Sequence, residues 1–179
     1  FPKLIPPTII TRSTDEVMEF LKKYKQAVIK PIYGNGGDGV FLLSKKDLNL
    51  NQILESFLSL SKEPFMVQKY LPEIIRGDKR IILINGKPVG AIARVPKQNE
   101  IRSNIHVGGS AKKVSISKSD HAICDAIGPE LKKRKLFFVG IDIIGKYLTE
   151  INVTSPTCLI EIKKLSKVDI AKIIWNQLA

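Results

Sequence analysis

FVGIDIIGKYLTEIN, residues 138–152, is the most informative stretch of this sequence. Its pattern predicts two apolar strands joined by a tight turn at Gly145. Glu150 and Asn152 are two residues apart, so they point to the same face of a strand. Asp142 shares that face only if the hairpin loop has an odd number of residues. We therefore predict a three-residue loop that uses Gly145.

Two carboxylates and one amide oxygen would then lie close together. Like charges repel at short range unless a cation lies between them. An all-oxygen set suits Mg²⁺, and Mn²⁺ could substitute for it. We predict Asp142, Glu150 and Asn152 as metal ligands. The alternative is that these side chains lie on a solvated sheet face or pair with lysines.

The composition describes a basic chain of ordinary domain size. Its 179 residues contain 29 Lys plus Arg against 17 Asp plus Glu, a net charge of +12. Such a charge favours an anionic partner: nucleic acid, a membrane surface, or phosphate and carboxylate substrates. The lysines are scattered in pairs rather than clustered with aromatic residues, which argues against nucleic acid and for solvated surfaces.

Neither the two cysteines nor the apolar segments indicate secretion or a membrane span. Cys124 and Cys158 form no disulfide framework, which favours a reducing cytoplasm. No apolar run is long enough to cross a bilayer, and no signal peptide is visible. The chain starts at Phe1 without a methionine, from which we expect a fragment of a longer protein.

Periodicity and turn signals predict an α+β fold with two lobes. We place the smaller lobe at about residues 12–67 and the larger lobe at about 68–179. Helical spacing and strand patterns alternate irregularly along the chain. The predicted helices cover about 13–24, 50–61 and 119–134, a short one opened by residues 154–157, and one from about 166. The predicted strands cover 27–31, 40–43, 64–70, 79–84 and 88–95, besides the two at 138–152.

A glycine-rich segment, Gly34-Asn35-Gly36-Gly37, follows the strand that ends in Lys30-Pro31. Glycine allows backbone N–H groups to approach phosphate oxygens, and a neighbouring lysine adds positive charge. A strand follows it, so it is neither a P-loop nor a Rossmann motif. The alternative is a flexible hairpin turn.

Arg80 and Arg94 lie on the two strands of a hairpin with an Asn85-Gly86 turn. They are expected to approach each other across the sheet. Two adjacent guanidinium groups need anions, from protein carboxylates or from a ligand. The alternative places them as surface charges on the outer face of the sheet.

Two irregular segments complete the candidate site. Residues 96–110 have no periodicity, and a connection of that length is typical of a lid or binding loop. Thr154-Ser155-Pro156-Thr157 directly follows the metal strand and could bind a substrate carboxylate at a helix start. An ordinary N-cap is the alternative for the second segment.

Taken together, these motifs resemble the ATP-grasp fold, and more closely the ATP-binding domain of prokaryotic glutathione synthetases. The resemblance extends from about Leu4 to the end of the chain and is most specific from Leu148 to Thr157. The residues that carry it are Ile29-Lys30-Pro31, Gly34 to Gly37, Gln68 to Pro72, Gly77 to Arg80, Asp142, and Glu150 to Thr157.

The resemblance implies a ligase that joins γ-glutamylcysteine to glycine through an acyl phosphate while cleaving ATP to ADP and phosphate. It implies that Lys30 and the segment Gly34, Asn35, Gly36 and Gly37 bind the ATP phosphates. It implies that Gln68, Lys69, Tyr70 and Leu71 hold the adenine, with Asp78 towards the ribose.

The same resemblance implies roles at the reacting centre. Arg80 and Arg94 would hold the peptide substrate and the phosphoryl oxygens, and Arg102 and Gly109 would belong to the closing loop. Asp142, Glu150 and Asn152 would bind Mg²⁺. Asn152, Ser155 and Thr157 would lie near the substrate glycine.

The sequence departs from the family pattern in three respects. A further ATP-binding lysine and the N-terminal domain, which completes the substrate site and the contacts of a homo-oligomer, are absent from this chain. Ser110 stands where the family pattern has arginine. We therefore expect the chain alone to be inactive or very weak.

Three other interpretations stay open. One is a different ATP-grasp ligase for amino acids or peptides, and another is a degenerate nucleotide-binding domain. The third, from a different class, is a basic nucleic-acid-binding module. We expect neither nucleic acid nor membrane as a partner.

Overall fold

The computed structural model describes residues 1–34, 36–98, 100–105 and 108–178. The chain divides into two compact units. The smaller unit is Pro6–Pro72, and the larger one combines Phe1–Ile5 with the chain from Glu73 onward. The smaller unit therefore begins earlier and ends later than the predicted lobe, because an early strand joins its sheet.

The smaller unit has a four-stranded antiparallel sheet with the order β1-β4-β2-β3. Two helices pack against it, and Val17, Leu21 and Leu54 lie in the shared core. Ser13 caps the first helix by accepting a hydrogen bond from the Glu16 N–H at 3.3 Å. The elements are β1 (Thr8–Thr11), α1 (Thr14–Tyr24), β2 (Gln26–Pro31), β3 (Phe41–Ser44), α2 (Leu50–Leu60) and β4 (Phe65–Lys69).

The larger unit has a five-stranded antiparallel sheet with the order β7-β6-β5-β8-β9. A 3₁₀ turn at Pro72–Arg76 leads from the smaller unit into strand β5 of the larger one. Its elements are β5 (Asp78–Ile84), β6 (Lys87–Val95), β7 (Ser110–Lys113), α3 (Lys118–Lys133), β8 (Phe138–Ile144), β9 (Tyr147–Asn152), α4 (Leu159–Ser166) and α5 (Ile170–Leu178).

Alternation along the strands separates two cores on the two faces of this sheet. On one face, Ile81 and Ile141 pack with Ile127 of α3. On the other face, Ile82 and Ile92 pack with Ile162 of α4, in a cluster that also contains Ile170 of α5. The second face carries apolar side chains at one end and polar side chains at the other. Asp78, Arg80 and Asp142 point to this face, because they alternate along their strands with residues that point to the first core.

The β8–β9 hairpin corrects the predicted loop. The loop has two residues, Gly145 and Lys146, so the three-residue prediction was wrong. A β-bulge supplies the missing residue, because Asp142 pairs with Glu150 while Ile143 pairs with Leu148. The bulged Thr149 donates its hydroxyl to the Asp142 carbonyl at 3.1 Å. Asp142 and Glu150 are therefore directly opposite and share a face.

Several element boundaries differ from the sequence-based predictions. The irregular segment ends in strand β7, which pairs with β6 and lacks a local pattern of its own. The helix expected at residues 154–157 begins later, at Leu159, and the last helix begins at Ile170 rather than near 166. In the described part of the chain, no helix combines the length and apolarity that crossing a membrane requires.

Candidate active site

The polar end of the larger sheet carries four charged side chains from three adjacent strands. Asp78 on β5 is opposite Arg94 on β6, and Arg80 on β5 is opposite Asp142 on β8. The two arginines are 5% and 4% exposed, so the interpretation of them as surface charges is wrong. Because the paired residues are directly opposite each other on β6, β5 and β8, all four charged side chains lie on one face of the sheet.

Each carboxylate holds a guanidinium group through two hydrogen bonds. Arg80 donates to both Asp142 oxygens, with Nη2 to Oδ2 at 2.8 Å. Arg94 donates to both Asp78 oxygens, with Nε to Oδ1 at 2.8 Å. Arg94 also forms an ion pair with Asp142 at 2.8 Å. We call these four residues the ion network.

The charges of the ion network oppose the effect of burial on the pKa of each member, and they do so to different extents. Burial alone raises the pKa of Asp142, but the hydrogen bonds from Arg80 and the charge of Arg94 outweigh it and lower that pKa. Burial also tends to lower the pKa of Arg94, yet its contacts with Asp78 and Asp142 raise that pKa overall. Burial raises the pKa of Asp78, against the opposing hydrogen bond from Arg94. The two carboxylates offset much of the positive charge of the two arginines, so a further cation would favour the binding of an anion.

The predicted metal ligands lie on one face of β8 and β9. Asp142 is opposite Glu150, and Asn152 is opposite Gly140, two residues before Asp142. Glu150 is exposed, whereas the Asn152 amide nitrogen is buried without a hydrogen-bond partner in the described residues. No cluster of three His, Cys, Asp or Glu side chains suited to a metal occurs among the residues described. A metal here would bind two carboxylates and one amide oxygen.

This donor set fits Mg²⁺. Two carboxylates and an amide are all-oxygen ligands, and Mg²⁺ is commonly held by one or two carboxylates with its other positions left to water and phosphate. A carboxylate has about four lone-pair sites, so Asp142 can bind its arginines and still ligate a cation. The Asn152 atom that lacks a partner among the described residues is the amide nitrogen, a hydrogen-bond donor, so the fit to Mg²⁺ depends on the three oxygen ligands alone.

The segment between β9 and α4 lies against the ion network. A Cβ on Gly140 would be 3.0 Å from Pro156 Cβ and 3.4 Å from Arg80 Cδ, so this strand position requires a small residue. Arg80 Nη1 donates to the Thr157 hydroxyl at 3.4 Å. Ser155 is exposed in the same segment. Thr157 is thereby brought to the predicted site by direct contact.

Cys158 follows Thr157 and is the N-cap of α4, with a positive φ of 83°. Both cysteines are buried, Cys124 in the core beneath α3 and Cys158 in the core beneath α4. Burial raises the pKa of the Cys124 thiol to about 12 and also raises the pKa of Cys158. Neither thiol is ionised near neutral pH, which agrees with a packing role.

The described part of the β6–β7 connection forms its own contacts. Arg102 donates two hydrogen bonds to the Glu100 carboxylate, one of them at 2.7 Å. The Gly109 N–H donates to the Asn104 carbonyl at 3.1 Å. Ser103 is buried in the same segment. Sequence analysis missed Glu100 and Ser103, because a segment without periodicity offers no signal for either of them.

In the smaller unit, Lys30 and Gln68 lie on the same sheet face, opposite Met66 and Val28 respectively. Gln68 is buried and donates to the Thr8 hydroxyl at 2.9 Å. This face is the one opposite the buried Ile29, which packs with α1 and α2. Because Lys30 and Gln68 lie on the same face of this sheet, their position is consistent with the prediction that both bind the same nucleotide.

The other residues predicted to bind the nucleotide differ from one another in their contacts. The Lys69 ammonium lies 5.8 Å from the centre of the Tyr24 ring, on the helix-facing side of the same sheet. The Tyr70 N–H donates to the Gln26 carbonyl at 3.2 Å, and Leu71 is buried. Asp78 is engaged by Arg94, so its carboxylate is already bound within the protein.

The glycine-rich segment is a turn between β2 and β3. Gly36 has a φ of +70° and Gly37 a φ of +89°, values that side-chain-bearing residues rarely adopt. An added Cβ on Gly36 would have no heavy atom within 4 Å, so the position is open. Asn35, which was also predicted to bind phosphate, lies outside the described residues.

Comparison with known proteins shows the family to which the chain belongs. Residues 1–167 match the family model described as the ATP-grasp domain of prokaryotic glutathione synthetase. The glutathione synthetase of Brucella melitensis is 49% identical over 176 residues, covering 98% of this chain and 56% of the relative. That of Synechococcus elongatus is 46% identical over 170 residues, covering 95% of this chain and 53% of the relative. The chain thus spans little more than half the length of these relatives.

Solved structures with low sequence identity share the fold. The ATP-grasp ligase PsnB, solved with its minimal precursor, Mg and ADP, has a TM-score of 0.70 at 20% identity and covers 98% of this chain and 52% of its own. The D-alanine–D-alanine ligase of Bacillus anthracis, solved with ATP, has a TM-score of 0.64 at 19% identity, with 90% and 54% covered. These similarities establish an ATP-grasp fold.

Proposed function

Because the chain belongs to the ATP-grasp domain family of prokaryotic glutathione synthetases, we propose that it is the ATP-binding part of a ligase that makes glutathione. The substrates are γ-glutamylcysteine, glycine and ATP, and the products are glutathione, ADP and phosphate. The observation that carries this proposal is the ion network beside Glu150, Asn152 and Thr157 on one sheet face.

The proposed reaction is the one that the resemblance to glutathione synthetases implies. The cysteinyl carboxylate attacks the γ-phosphorus of ATP, and ADP leaves. The glycine amine then attacks the acyl carbon of the resulting acyl phosphate, loses a proton, and expels phosphate as the amide forms. Both steps develop negative charge on oxygen, and positioned cations lower that cost.

The arginines supply the fixed positive charge in this proposal. Arg80 and Arg94 are oriented by Asp142 and Asp78, so their guanidinium planes are set before substrate binds. Preorganised donors spend no free energy on reorientation during the reaction. Arg80 further orients the Thr157 hydroxyl towards the place proposed for glycine.

Asp142, Glu150 and Asn152 would hold Mg²⁺. The ion would neutralise phosphate charge when it is bound. Glu150 has the clearest separate contribution, because it is exposed and lies outside the buried ion network. By resemblance to the family, Lys30 and the glycine-rich turn would bind ATP phosphates.

The proposed function can be tested by coupled ADP release in the complete protein. We expect ADP release to require γ-glutamylcysteine and Mg²⁺, and glutathione to form only when glycine is present. If another amine replaces glycine as the better acceptor, the protein is a different carboxylate–amine ligase. Salt-sensitive binding of DNA or RNA without any ATP turnover would instead favour a nucleic-acid-binding module.

A variant of Glu150 tests the proposed metal site in the same assay. Glu150→Gln should lower kcat/KM on the order of 100-fold, because it removes a carboxylate that would neutralise the metal, and electrostatic groups of this kind contribute about that factor. The fold should persist, since Glu150 is exposed. Glu130→Gln is the matched control, because Glu130 lies on α3 beyond the opposite sheet face and pairs with Arg134. Equal activity of both variants would contradict the metal role of Glu150.

A further inference from the structure

Gly140 lies inside strand β8, where glycine is an unusual residue. A glycine in a strand interior weakens the strand, and it often marks the close approach of another part of the backbone. Here the segment between β9 and α4 makes that approach, since a Cβ on Gly140 would lie 3.0 Å from Pro156 Cβ. Both residues are buried. The missing side chain therefore makes room for Pro156 on the sheet.

Buried and exposed residues alternate along that segment. Pro156 and Cys158 are buried, whereas Ser155 and Thr157 are exposed. Cys158 belongs to the core beneath α4. The two buried residues thus fix the segment on the sheet and leave the two hydroxyl-bearing residues accessible. From this place the Thr157 hydroxyl accepts a hydrogen bond from Arg80 Nη1 at 3.4 Å.

The contact between Gly140 and Pro156 is rigid. Pro156 Cβ belongs to a ring that closes on the backbone, so no change of rotamer moves it away. A side chain at residue 140 would therefore displace the backbone of the segment by a few tenths of an ångström.

Gly90 provides the contrasting case on the same face of the sheet. Gly90 on β6 and Gly140 on β8 are both directly opposite Ile82 on β5. A Cβ on Gly90 would lie 2.9 Å from Ile162 Cγ2, the end of a flexible side chain that can rotate. An added methyl group at Gly90 can therefore be accommodated without moving the backbone of the segment that follows β9.

A small displacement of Pro156 would reach the ion network. The distance of 3.4 Å from Arg80 Nη1 to the Thr157 hydroxyl is already at the long end for a hydrogen bond. Arg80 does not follow the segment, because two hydrogen bonds hold its guanidinium group on Asp142. Moving Pro156 away from the sheet therefore breaks the contact between Arg80 and Thr157.

We propose that Gly140 is a positioning residue, which seats Pro156 on the sheet and thereby sets the place of Ser155 and Thr157 relative to Arg80. It has no side chain with which to contact a substrate. The consequence for the substrate glycine rests on the proposed function, whereas the seating of Pro156 does not.

Alkylation of Cys158 by iodoacetamide in the complete protein reports the position of the segment, because Cys158 is buried two residues after Pro156. Gly140→Ala should speed this alkylation about tenfold, since overpacking against a rigid neighbour shifts a local opening equilibrium by about that factor. Cys124 is the internal reference, because it lies in the core on the other face of the sheet. Peptide mapping by mass spectrometry gives the two rates separately.

Gly90→Ala is the matched control, because it adds the same methyl group on the same sheet face against a flexible side chain. It should leave the alkylation rate of Cys158 close to that of the unmodified protein. The proposal is overturned by an unchanged Cys158 rate in Gly140→Ala, by an equal increase in Gly90→Ala, or by a matching increase at Cys124.

Pro156→Gly tests the same contact from the other side. It removes the ring that an added methyl group would meet, so Gly140→Ala should cause no further increase in the Cys158 rate when the two changes are combined. A further increase of about tenfold would place the effect at another contact and overturn the proposal. If Gly140→Ala alone fails to fold, Pro156→Gly with and without Gly140→Ala still provides the comparison.

The consequence for catalysis can be tested by kinetics in the same preparations. Gly140→Ala should raise the KM for glycine several-fold and change the KM for ATP less, because only the segment proposed to lie near glycine moves. Gly90→Ala should change neither. A faster alkylation of Cys158 with an unchanged KM for glycine overturns this role. If the unmodified protein releases no ADP with γ-glutamylcysteine and ATP, the proposed function fails, while the alkylation result still tests the seating of Pro156.

Discussion

The carboxylates of Asp78 and Asp142 each bind a buried arginine, and each therefore has a role that its local sequence does not reveal. A buried ion pair is a poor source of stability, because desolvation offsets much of the attraction. Its value here is in orienting guanidinium groups that would otherwise rotate. The same principle applies on a smaller scale to Glu100, which binds Arg102 through two hydrogen bonds.

The Glu100 carboxyl should titrate far below an ordinary glutamate. The hydrogen bond from Arg102 lowers its pKa from 4.5 to about 2. The folded pKa lies below the unfolded one, so the contact is at full strength above about pH 4.5 and is lost as the pH falls through about 2. Carboxyl ¹³C NMR should place the Glu100 midpoint near this lower value.

The matched variant for this measurement is Arg102→Ala. Removing the guanidinium should return the Glu100 midpoint towards 4.5. A Glu100 midpoint near 4.5 in the unmodified protein would show that the contact does not persist in solution.

At the scale of elements, two-residue hairpin turns hold the larger sheet together. Asn85 and Gly86 both have positive φ, at 47° and 69°, as a type I′ turn requires. The turn packs on α3 through a backbone contact, since a Cβ on Gly86 would lie 2.8 Å from the Gly128 carbonyl oxygen. At the other turn, the three heavy atoms nearest to a Cβ on Gly145 all belong to the flexible Glu73 side chain, the nearest at 3.3 Å.

Gly86→Ala should therefore cost more stability than Gly145→Ala. Both substitutions place alanine at positive φ, which costs about 1 kcal/mol. Only Gly86→Ala also pushes the turn away from α3, which should add about 1–3 kcal/mol. Urea unfolding of the two variants measures the difference, and equal losses of unfolding free energy would show that the turn moves away from α3 at no cost.

At the scale of the whole molecule, the chain covers just over half the length of its relatives and carries a net charge of +12. The positive charge suits the proposed substrates, because ATP and the dipeptide are both anionic. The proposed ligands of those substrates come from this chain. We propose that the remainder of the substrate site comes from the N-terminal domain of the complete protein.

The 179-residue chain alone should form glutathione at less than about 1% of the rate of a protein with the full length of the relatives. Misplacing a substrate by about 1 Å costs on the order of 100-fold, and an incomplete site positions it less well. Both proteins would be assayed for glutathione by mass spectrometry at saturating ATP and Mg²⁺. A comparable rate from the chain alone would contradict the need for a further domain.

The local features of this protein were readable without coordinates. The Asn85-Gly86 hairpin, the caps and apolar spacing of α1 and α3, and the two strands at 138–152 depend on interactions between residues close in sequence. The family also follows from the order of its motifs along the chain. An α+β fold with antiparallel sheets was predicted, and the structure and the comparisons confirm it.

The features that the sequence did not predict depend on pairing between residues that are distant in sequence. The bulge at Thr149 restores the register of Glu150 with Asp142, and no local signal distinguishes that solution from a longer loop. Strand β7 exists because β6 offers it a partner, since its own sequence has no strand pattern. Likewise, Asp78 meets Arg94 only after the sheet has formed. The free energy of these contacts depends on burial and on partners distant in sequence, which local propensity does not contain.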